Sequence, residues 1–327
     1  MSKSNIALMF PGQGAQQPGM ANLILNSSIP AQKLFQEAND VLKFDLTELC
    51  KTGSEKELSN TLVTQPAIIA TSIALFNYMQ EKIEHSNYDI SPKLFAGHSL
   101  GLLTAAIASN CIAFSDGIKI ASKRAEIMQS NYIKKPVGML GIIGLDIEKV
   151  KTICKQATKS LNDRVDIANY NLNNQVVIAG HQTAIIRSKE IVSLMRAKAI
   201  ELKLKVSSHT ELHIDESMQF AKFIDKYHFN EPNVPILSNI SSKLLDTAEK
   251  IKDELSNQIH RPVFWYKNME FMSMKKINTY IEIGPGHVLS KLVKKYKPNV
   301  EAISIFEELK DIDLLLRNYQ VDFQTDE

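Results

Sequence analysis

The sequence is poor in the residues that build disulfide frameworks and metal sites. Only three cysteines occur in 327 residues, at Cys50, Cys111 and Cys154, and their wide spacing offers no metal-binding pair. The net charge is only +2, so no field of one sign favours nucleic acid. The first apolar run, Ile6 to Phe10, ends at Pro11-Gly12 and is too short for a signal segment or a membrane span. We therefore expect a cytoplasmic protein without a metal ion, a membrane segment or a nucleic-acid partner.

The order of apolar patterns predicts two domains. The chain is long enough for one large and one small domain, and its 44% hydrophobic and 23% charged residues are typical of globular proteins. Strand and helix patterns alternate up to residue 135, which favours a mostly parallel sheet with helices on both faces. From Pro136 the order becomes β-α-β-β-α-β, with its first strand predicted over 137–145 and its last over 199–206, as in a ferredoxin-like unit. Two later strands are predicted over 234–239 and 276–283. We predict an α/β protein with a large domain over 1–135 and 207–327 and a small inserted domain over 136–206.

The most informative stretch is Gly97-His98-Ser99-Leu100-Gly101, which fits the G-x-S-x-G nucleophile elbow. A short apolar strand pattern precedes it, and an apolar helix pattern over 102–108 follows. Such a turn exposes the Ser99 hydroxyl and leaves the backbone amide of Leu100 unpaired at a helix N-terminus, where negative charge is favoured. The pattern predicts a nucleophile beside half of an oxyanion hole, and a chance match in an ordinary turn is the alternative.

A serine nucleophile needs a base within hydrogen-bonding distance. Among the eight histidines, His209 stands where the predicted small domain returns to the large one, and a cleft is frequent at such a boundary. A purely structural histidine is the alternative. His98 directly precedes Ser99 and tends to point to the other side of the strand. We therefore expect His98 to line a pocket rather than to act as the base.

Two further polar residues favour recognition of an anion. Arg124, one of six arginines, stands in an apolar helical stretch. It is either an exposed residue of an amphipathic helix or a guanidinium that binds a carboxylate through two N–H groups. Gln13 lies between two glycines, where an amide donor can add to an oxyanion hole. The lysine-rich segment 291–297 is expected to be a solvated face.

Together these motifs resemble the malonyl-CoA:acyl carrier protein transacylase family. The resemblance covers residues 6 to about 295, and the distances of 25 residues from Ser99 to Arg124 and 110 to His209 match the family. It rests on Phe10-Pro11-Gly12-Gln13-Gly14-Ala15-Gln16, the elbow, Arg124 with its neighbours, Asn169-Tyr170-Asn171, Gln175 to Gly180, Ser208-His209, Gln258 to Pro262 and Glu282-Ile283-Gly284-Pro285-Gly286.

The resemblance implies a role for each of these residues. Ser99 would carry the acyl group, and His209 would act as base and then as acid, oriented by the backbone carbonyl of Gln258 instead of a carboxylate. Gln13 and the Leu100 amide would form the oxyanion hole. Arg124 would pair with the malonyl carboxylate, which His98 would help to place. The implied fold is a large α/β hydrolase-like domain with a ferredoxin-like insert.

The resemblance also implies the partners. Malonyl-CoA would be a substrate, an acyl carrier protein of fatty-acid or polyketide synthesis would accept the acyl group, and no cofactor would be needed. We expect a monomer. This sequence has Leu102 where the family usually has glutamate, and His213 where methionine is common. The alternative is therefore an acyl hydrolase of the same fold that removes stalled acyl groups from carrier proteins, and a non-catalytic binding protein is a third hypothesis.

Overall fold

The fold is built on two separate sheets. A computed structural model describes residues 5–86, 90–134, 136–202 and 206–317. Within these residues the strands are β1 (Ile6–Phe10), β2 (Pro92–Gly97), β3 (Val137–Ile143), β4 (Val165–Leu172), β5 (Gln175–His181), β6 (Lys198–Glu201), β7 (Ile236–Leu237), β8 (Leu244–Leu245), β9 (Thr279–Glu282) and β10 (Glu301–Ser304).

The helices of the same residues cover both sheets. They are α1 (Asn22–Ser27), α2 (Ile29–Leu42), α3 (Leu46–Thr52), α4 (Glu55–Leu58), α5 (Thr61–Glu84), α6 (Leu100–Ala108), α7 (Phe114–Lys134), α8 (Ile147–Ala157), α9 (Gln182–Leu194), α10 (Ile214–Ile224), α11 (Ala248–Gln258), α12 (Trp265–Met274), α13 (Val288–Tyr296) and α14 (Ile312–Arg317), with short 3₁₀ turns at Glu211–His213 and Leu309–Asp311.

The larger sheet has six strands in the order β10-β9-β1-β2-β7-β8. Strand β1 lies at its centre with all five residues buried, and it runs parallel to both β2 and β9. The pairs β9–β10 and β2–β7 are also parallel, whereas the β7–β8 pair is antiparallel. The predicted mostly parallel sheet is thereby confirmed. Because β1 and β2 are parallel neighbours, their carboxyl ends place Pro11 and Ser99 at the same edge.

The smaller sheet has the order β4-β5-β3-β6, and its pairs are antiparallel. Helices α8 and α9 cover one face and close a separate hydrophobic cluster that includes Val150, Ile185 and Leu140. The predicted strand over 199–206 is shorter in the structure, since β6 ends at Glu201. Residues 203–205 of that prediction lie outside the described part of the chain, as do residues 1–4, 87–89, 135 and 318–327 of the predicted domains.

Three other predicted strands were too long, and local backbone geometry explains each case. The strand predicted over 137–145 ends at Ile143, because Gly144 adopts φ +99°. The strand predicted over 276–283 begins only at Thr279, because Lys276 has φ +58° after the end of α12. The strand predicted over 234–239 is reduced to β7, because Ser238 donates its N–H to the Lys243 carbonyl and closes a turn.

Helix α5 lies in the interior of the part of the protein that is built on the larger sheet. It is long and apolar enough to cross a bilayer, but 78% of its most apolar 18-residue window is buried within the protein. It packs against α2, α6 and α7, as a core helix does. The first turns of α5 carry the polar residues Thr61 and Gln65 into this apolar surrounding. Buried polar groups require hydrogen-bond partners, so Thr61 and Gln65 indicate that a polar site lies nearby.

Candidate active site

Ser99 occupies a strained turn between β2 and α6. Its backbone has φ +53° and ψ −111°, a conformation that is costly for a residue with a side chain. A Cβ at Gly101 would collide with the Phe10 carbonyl, and one at Gly97 would collide with Gly101. The two glycines therefore allow α6 to start directly against the ends of β1 and β2. This is the strand–turn–helix context that a nucleophile elbow requires.

The Ser99 hydroxyl lies 2.7 Å from Nε2 of His209. The other ring nitrogen, Nδ1, lies 2.8 Å from the Gln258 carbonyl and 3.2 Å from the Arg261 carbonyl. Carbonyl oxygens only accept hydrogen bonds, so Nδ1 must carry the proton and Nε2 is left to accept from Ser99. This pair can remove the proton of a hydroxyl nucleophile without a carboxylate behind the histidine.

Burial and a neighbouring cation keep His209 neutral. Its side chain is almost completely buried, and desolvation, followed by the positive charge of Arg124, lowers the pKa of His209 to about 3. At neutral pH the imidazole is therefore unprotonated, as a general base must be.

Arg124 is a buried cation, so the exposed alternative considered from the sequence is wrong. Only 2% of its surface is accessible, and burial lowers its pKa to about 10, which leaves it charged at neutral pH. Its Nη1 donates to the side-chain carbonyl of Gln65 at 3.0 Å. Its Nη2 lies 3.4 Å from both the Ser99 hydroxyl and the Gln258 side-chain carbonyl. No carboxylate among the described residues forms an ion pair with it.

Of the two residues predicted for the oxyanion hole, Gln13 lines the same cavity as Ser99 and Leu100 follows Ser99 in sequence. The Gln13 side-chain amide is already engaged, since it donates to Thr61 Oγ1 at 3.0 Å and accepts from Gln65 at 3.2 Å. Within the described ranges, no acceptor is bound to the backbone N–H of Gln13 or to that of Leu100. Any contribution of Gln13 to an oxyanion hole therefore falls to its backbone rather than to its side-chain amide.

His98 lines the same cavity as Ser99, although neighbouring residues of a strand usually point to opposite sides. Its Nε2 lies 2.8 Å from Asn171 Oδ1, and its ring centre lies 5.4 Å from that of Trp265. Burial lowers the pKa of His98, so this ring is also neutral. His98 thus presents a polar edge to the cavity without competing with His209 as a base.

Ser99, His209 and His98 line a cavity of about 260 Å³ between the two sheets. The larger layer contributes the backbone around Gln13 together with Ser99 and His209. The smaller layer contributes apolar and amide side chains, among them Met139, Asn171 and Gln175. The cavity lining is mostly apolar, which suits a ligand with a few polar groups.

Two residues that were singled out from the sequence, His213 and Leu102, do not line the cavity. His213 is buried against the Ser207 hydroxyl at 3.0 Å. Leu102 is buried in the main hydrophobic cluster. In the part of the chain that the structure covers, no group of three or more His, Cys, Asp or Glu side chains forms a potential metal site.

The sequence reasoning missed Gln65, Asn171 and Asn239, which bond to Arg124, His98 and the elbow respectively. Gln65 carried a usable signal, because it is a large polar residue inside an otherwise apolar helix pattern. Asn171, on β4, belongs to the Asn169-Tyr170-Asn171 motif of the resemblance, but no role was assigned to it. Asn239 stands in a polar turn, where asparagine is common for local reasons, and nothing in its surrounding sequence distinguishes it.

A hydroxyl that is bonded to a neutral imidazole and opens into a cavity can take up an acyl group and release it. The fold and this site define an enzyme of acyl-group chemistry. The chain belongs to the acyl transferase family, since the family model described as acyl transferase domain matches residues 8–310. The family membership predicted from the motifs is confirmed.

Similar proteins cover almost the whole chain. The malonyl CoA-acyl carrier protein transacylase of Haemophilus influenzae is 33% identical over 300 residues, or 91% of this chain and 94% of the relative. The solved structure of a type II PKS acyl-carrier protein with its malonyl-transacylase matches with a TM-score of 0.84 and 34% identity, over 92% of this chain and 94% of that chain. The transacylase of Coxiella burnetii matches with a TM-score of 0.90 and 28% identity, over 98% and 99% of the two chains.

Proposed function

We propose that this protein transfers a malonyl group from malonyl-CoA to the phosphopantetheine thiol of an acyl carrier protein, through an ester on Ser99. The observation that carries this proposal is the buried Arg124 cation, 3.4 Å from the Ser99 hydroxyl and without a carboxylate partner among the described residues. A malonyl thioester brings both a reactive carbonyl and a free carboxylate to this point. The names of the relatives support the same donor and acceptor.

In the first half-reaction the Ser99 oxygen attacks the thioester carbonyl while His209 Nε2 takes the hydroxyl proton. The backbone N–H groups of Gln13 and Leu100 stabilise the negative oxygen that develops. The carbon–sulfur bond then breaks, and His209 returns the proton to the sulfur of CoA. A malonyl ester on Ser99 and free CoA remain.

In the second half-reaction the phosphopantetheine thiol of the carrier protein enters the same cavity. His209 takes the thiol proton, the sulfur attacks the ester carbonyl, and the same two N–H groups bind the oxyanion. The ester bond breaks, and His209 gives its proton back to the Ser99 oxygen. The carrier leaves with the malonyl group, and the enzyme regains its starting state without a cofactor.

Arg124 gives this reaction its preference for acyl groups with a free carboxylate. Pairing two N–H groups with that carboxylate satisfies a buried cation that otherwise relies on neutral glutamine carbonyls. An acetyl group cannot supply this partner. His98 and Asn171 border the same cavity and help to place the carboxylate.

We extend the proposal to the finer architecture. The β-α-β-β-α-β order and the strand order β6-β3-β5-β4 support a ferredoxin-like small domain over 136–206. The strained serine at the carboxyl end of a parallel strand supports a large α/β hydrolase-like domain over 1–135 and 207–327. We also propose a cytoplasmic monomer that binds neither nucleic acid nor a membrane.

Intact-mass analysis of the carrier protein tests the proposal. Holo-carrier protein is incubated with malonyl-CoA and the enzyme, and acetyl-loaded carrier protein is incubated with the enzyme alone. A transferase adds a malonyl mass in the first mixture and leaves the second unchanged. Loss of the acetyl mass in the second mixture, with no gain in the first, would identify the acyl hydrolase instead.

The Ser99→Ala variant is the control for both mixtures. It removes the only atom that can form the ester and leaves the carrier surface unchanged. We expect no malonyl mass on the carrier beyond the enzyme-free rate and no mass increase on the variant itself. Malonyl transfer by Ser99→Ala at the wild-type rate would exclude the ester intermediate.

A further inference from the structure

We propose that Asn239 is the positioning residue of the nucleophile: its carboxamide holds the strained elbow so that the Ser99 hydroxyl meets His209. Asn239 follows β7 and is fully buried. It does not line the cavity, and 140 residues of sequence separate it from Ser99. The inference rests on the proposed function and adds the group that sets the geometry of its first step.

The Asn239 carboxamide bonds to both sides of the elbow. Its Oδ1 accepts the backbone N–H of Ser99 at 2.7 Å, and its Nδ2 donates to the Gly97 carbonyl at 2.6 Å. The elbow needs one acceptor and one donor at these places, so the orientation of the amide group is fixed. An amide that bonds the nucleophile and the residue two positions before it defines the turn between them.

A second buried residue holds Asn239 itself. The carboxylate of Glu254, on α11, accepts the backbone N–H groups of Asn239 at 2.7 Å and Ile240 at 3.1 Å. Its other oxygen accepts the Ser238 hydroxyl at 2.7 Å. Glu254 is thus saturated with donors, which compensates a buried carboxylate and fixes the loop that carries Asn239.

Helix α11 connects this support to the base. One turn after Glu254, Gln258 donates its Nε2 to the Ser99 carbonyl at 2.9 Å, and its backbone carbonyl accepts from His209 Nδ1 at 2.8 Å. Residues four apart lie on the same face of a helix. The same helix face therefore fixes Ser99 through Asn239 and His209 through Gln258. One helix thus positions both reacting groups relative to each other.

The backbone conformation explains why this support affects the chemistry. Ser99 at φ +53° is strained and persists only because its surroundings determine it. Without the acceptor from Asn239, the partly buried Ser99 N–H loses its partner and the turn relaxes. A displacement of about 1 Å is enough to reduce a rate by about 100-fold.

The test compares Asn239→Leu, which removes both bonds, with Asn239→Asp, which keeps an acceptor for Ser99 and loses the donor to Gly97. The matched control is Asn268→Leu, because Asn268 is equally buried and its side chain has no hydrogen-bond partner among the described residues. For each folded variant the single-turnover rate of Ser99 acylation, the KM for malonyl-CoA and the melting temperature are measured.

We expect Asn239→Leu to lower the acylation rate about 100-fold, with the KM changed less than threefold because Arg124 is untouched. Asn239→Asp should recover about one tenth of the wild-type rate, and Asn268→Leu should stay within twofold. If Asn239→Leu does not fold, Asn239→Asp and Glu254→Gln decide, each with a loss of at least fivefold expected. Folded Asn239 variants that acylate within threefold of wild type would overturn the inference.

A fluorophosphonate reagent separates this inference from the proposed function. It modifies an activated serine without needing an acyl carboxylate, a CoA group or a carrier protein. If wild type reacts with the reagent but not with malonyl-CoA, the proposed donor is wrong while the positioning role is still measured. If wild type and Asn239→Leu react with the reagent equally fast, the positioning role is wrong whatever the donor is.

Discussion

Replacing Arg124 by alanine removes the group that we assign to the free carboxylate and leaves the Ser99–His209 pair in place. The guanidinium is 2% exposed, so water cannot take over its role when a carboxylate enters the site. The malonyl carboxylate would then be buried without a cation. A monoacyl group such as acetyl loses no comparable partner, and the two donors should therefore respond differently.

The size of the effect follows from the burial. Breaking a buried ion pair by truncating one partner costs about 3–5 kcal/mol, because the remaining charge stays buried and unpaired. This corresponds to a loss of about 150- to 5,000-fold in kcat/KM for malonyl-CoA. For acetyl-CoA we expect a change below about tenfold, since no charge is left unpaired in that complex.

The assay follows transfer to holo-carrier protein by intact mass, with malonyl-CoA and acetyl-CoA in separate series. Lys123→Ala is the matched control, because Lys123 is the neighbouring cation, partly exposed and paired with Glu126 at 2.8 Å. A surface pair of this kind contributes little, so this variant should stay within twofold for both donors. Equal losses for malonyl and acetyl transfer in Arg124→Ala would refute the assigned role.

Three further predictions use other features of the site. The pKa of His209 is lowered to about 3, and the base must be unprotonated to act. We therefore expect kcat/KM for acylation to stay level from pH 8 to about 5 and to fall only below about pH 4. A fall centred near pH 6.5 would contradict this expectation. Gly101→Ala should lower the melting temperature and abolish acylation, because the added Cβ collides with the Phe10 carbonyl. In the control variant Gly141→Ala the added Cβ has room, so its melting temperature, measured by calorimetry, should stay close to that of wild type. Trp265 is the only tryptophan, and its ring centre lies 5.4 Å from that of His98 with the two planes tilted by 59°. Its fluorescence should therefore change at the rate of acylation with malonyl-CoA and stay constant in Ser99→Ala.

The parts of the fold that were predicted correctly are those in which neighbours in sequence are neighbours in space. The elbow is one continuous strand, turn and helix, and the β-α-β-β-α-β order of the smaller sheet follows the chain. The bounds of short strands were not predicted: β7 has only two of the six residues predicted over 234–239. Strand β10 was not predicted at all, since four residues are too few for a periodic pattern. Both strands exist because a parallel neighbour from another part of the chain pairs with them.

The same distinction between local patterns and distant contacts applies to the residues of the site. Ser99 and Arg124 were found because each stands in a recognisable local pattern, and His209 because it stands near a predicted boundary. Asn239 and Gln65 were missed because their importance comes only from contacts over 140 and 59 residues of sequence. The burial of Arg124 could not be predicted for the same reason, since an amphipathic helix pattern does not reveal which face other parts of the chain cover.

The arrangement of the charges connects selection of the donor with activation of the base. The distances of 3.4 Å from Arg124 Nη2 to the Ser99 oxygen and 2.7 Å from that oxygen to His209 Nε2 place the cation no more than 6.1 Å from the base. After burial, this cation is the largest cause that lowers the pKa of His209. A carboxylate that pairs with Arg124 cancels part of that field and so raises the pKa of His209. Under the proposed function, a malonyl donor therefore strengthens the base at the moment when Ser99 must lose its proton, and an acetyl donor does not.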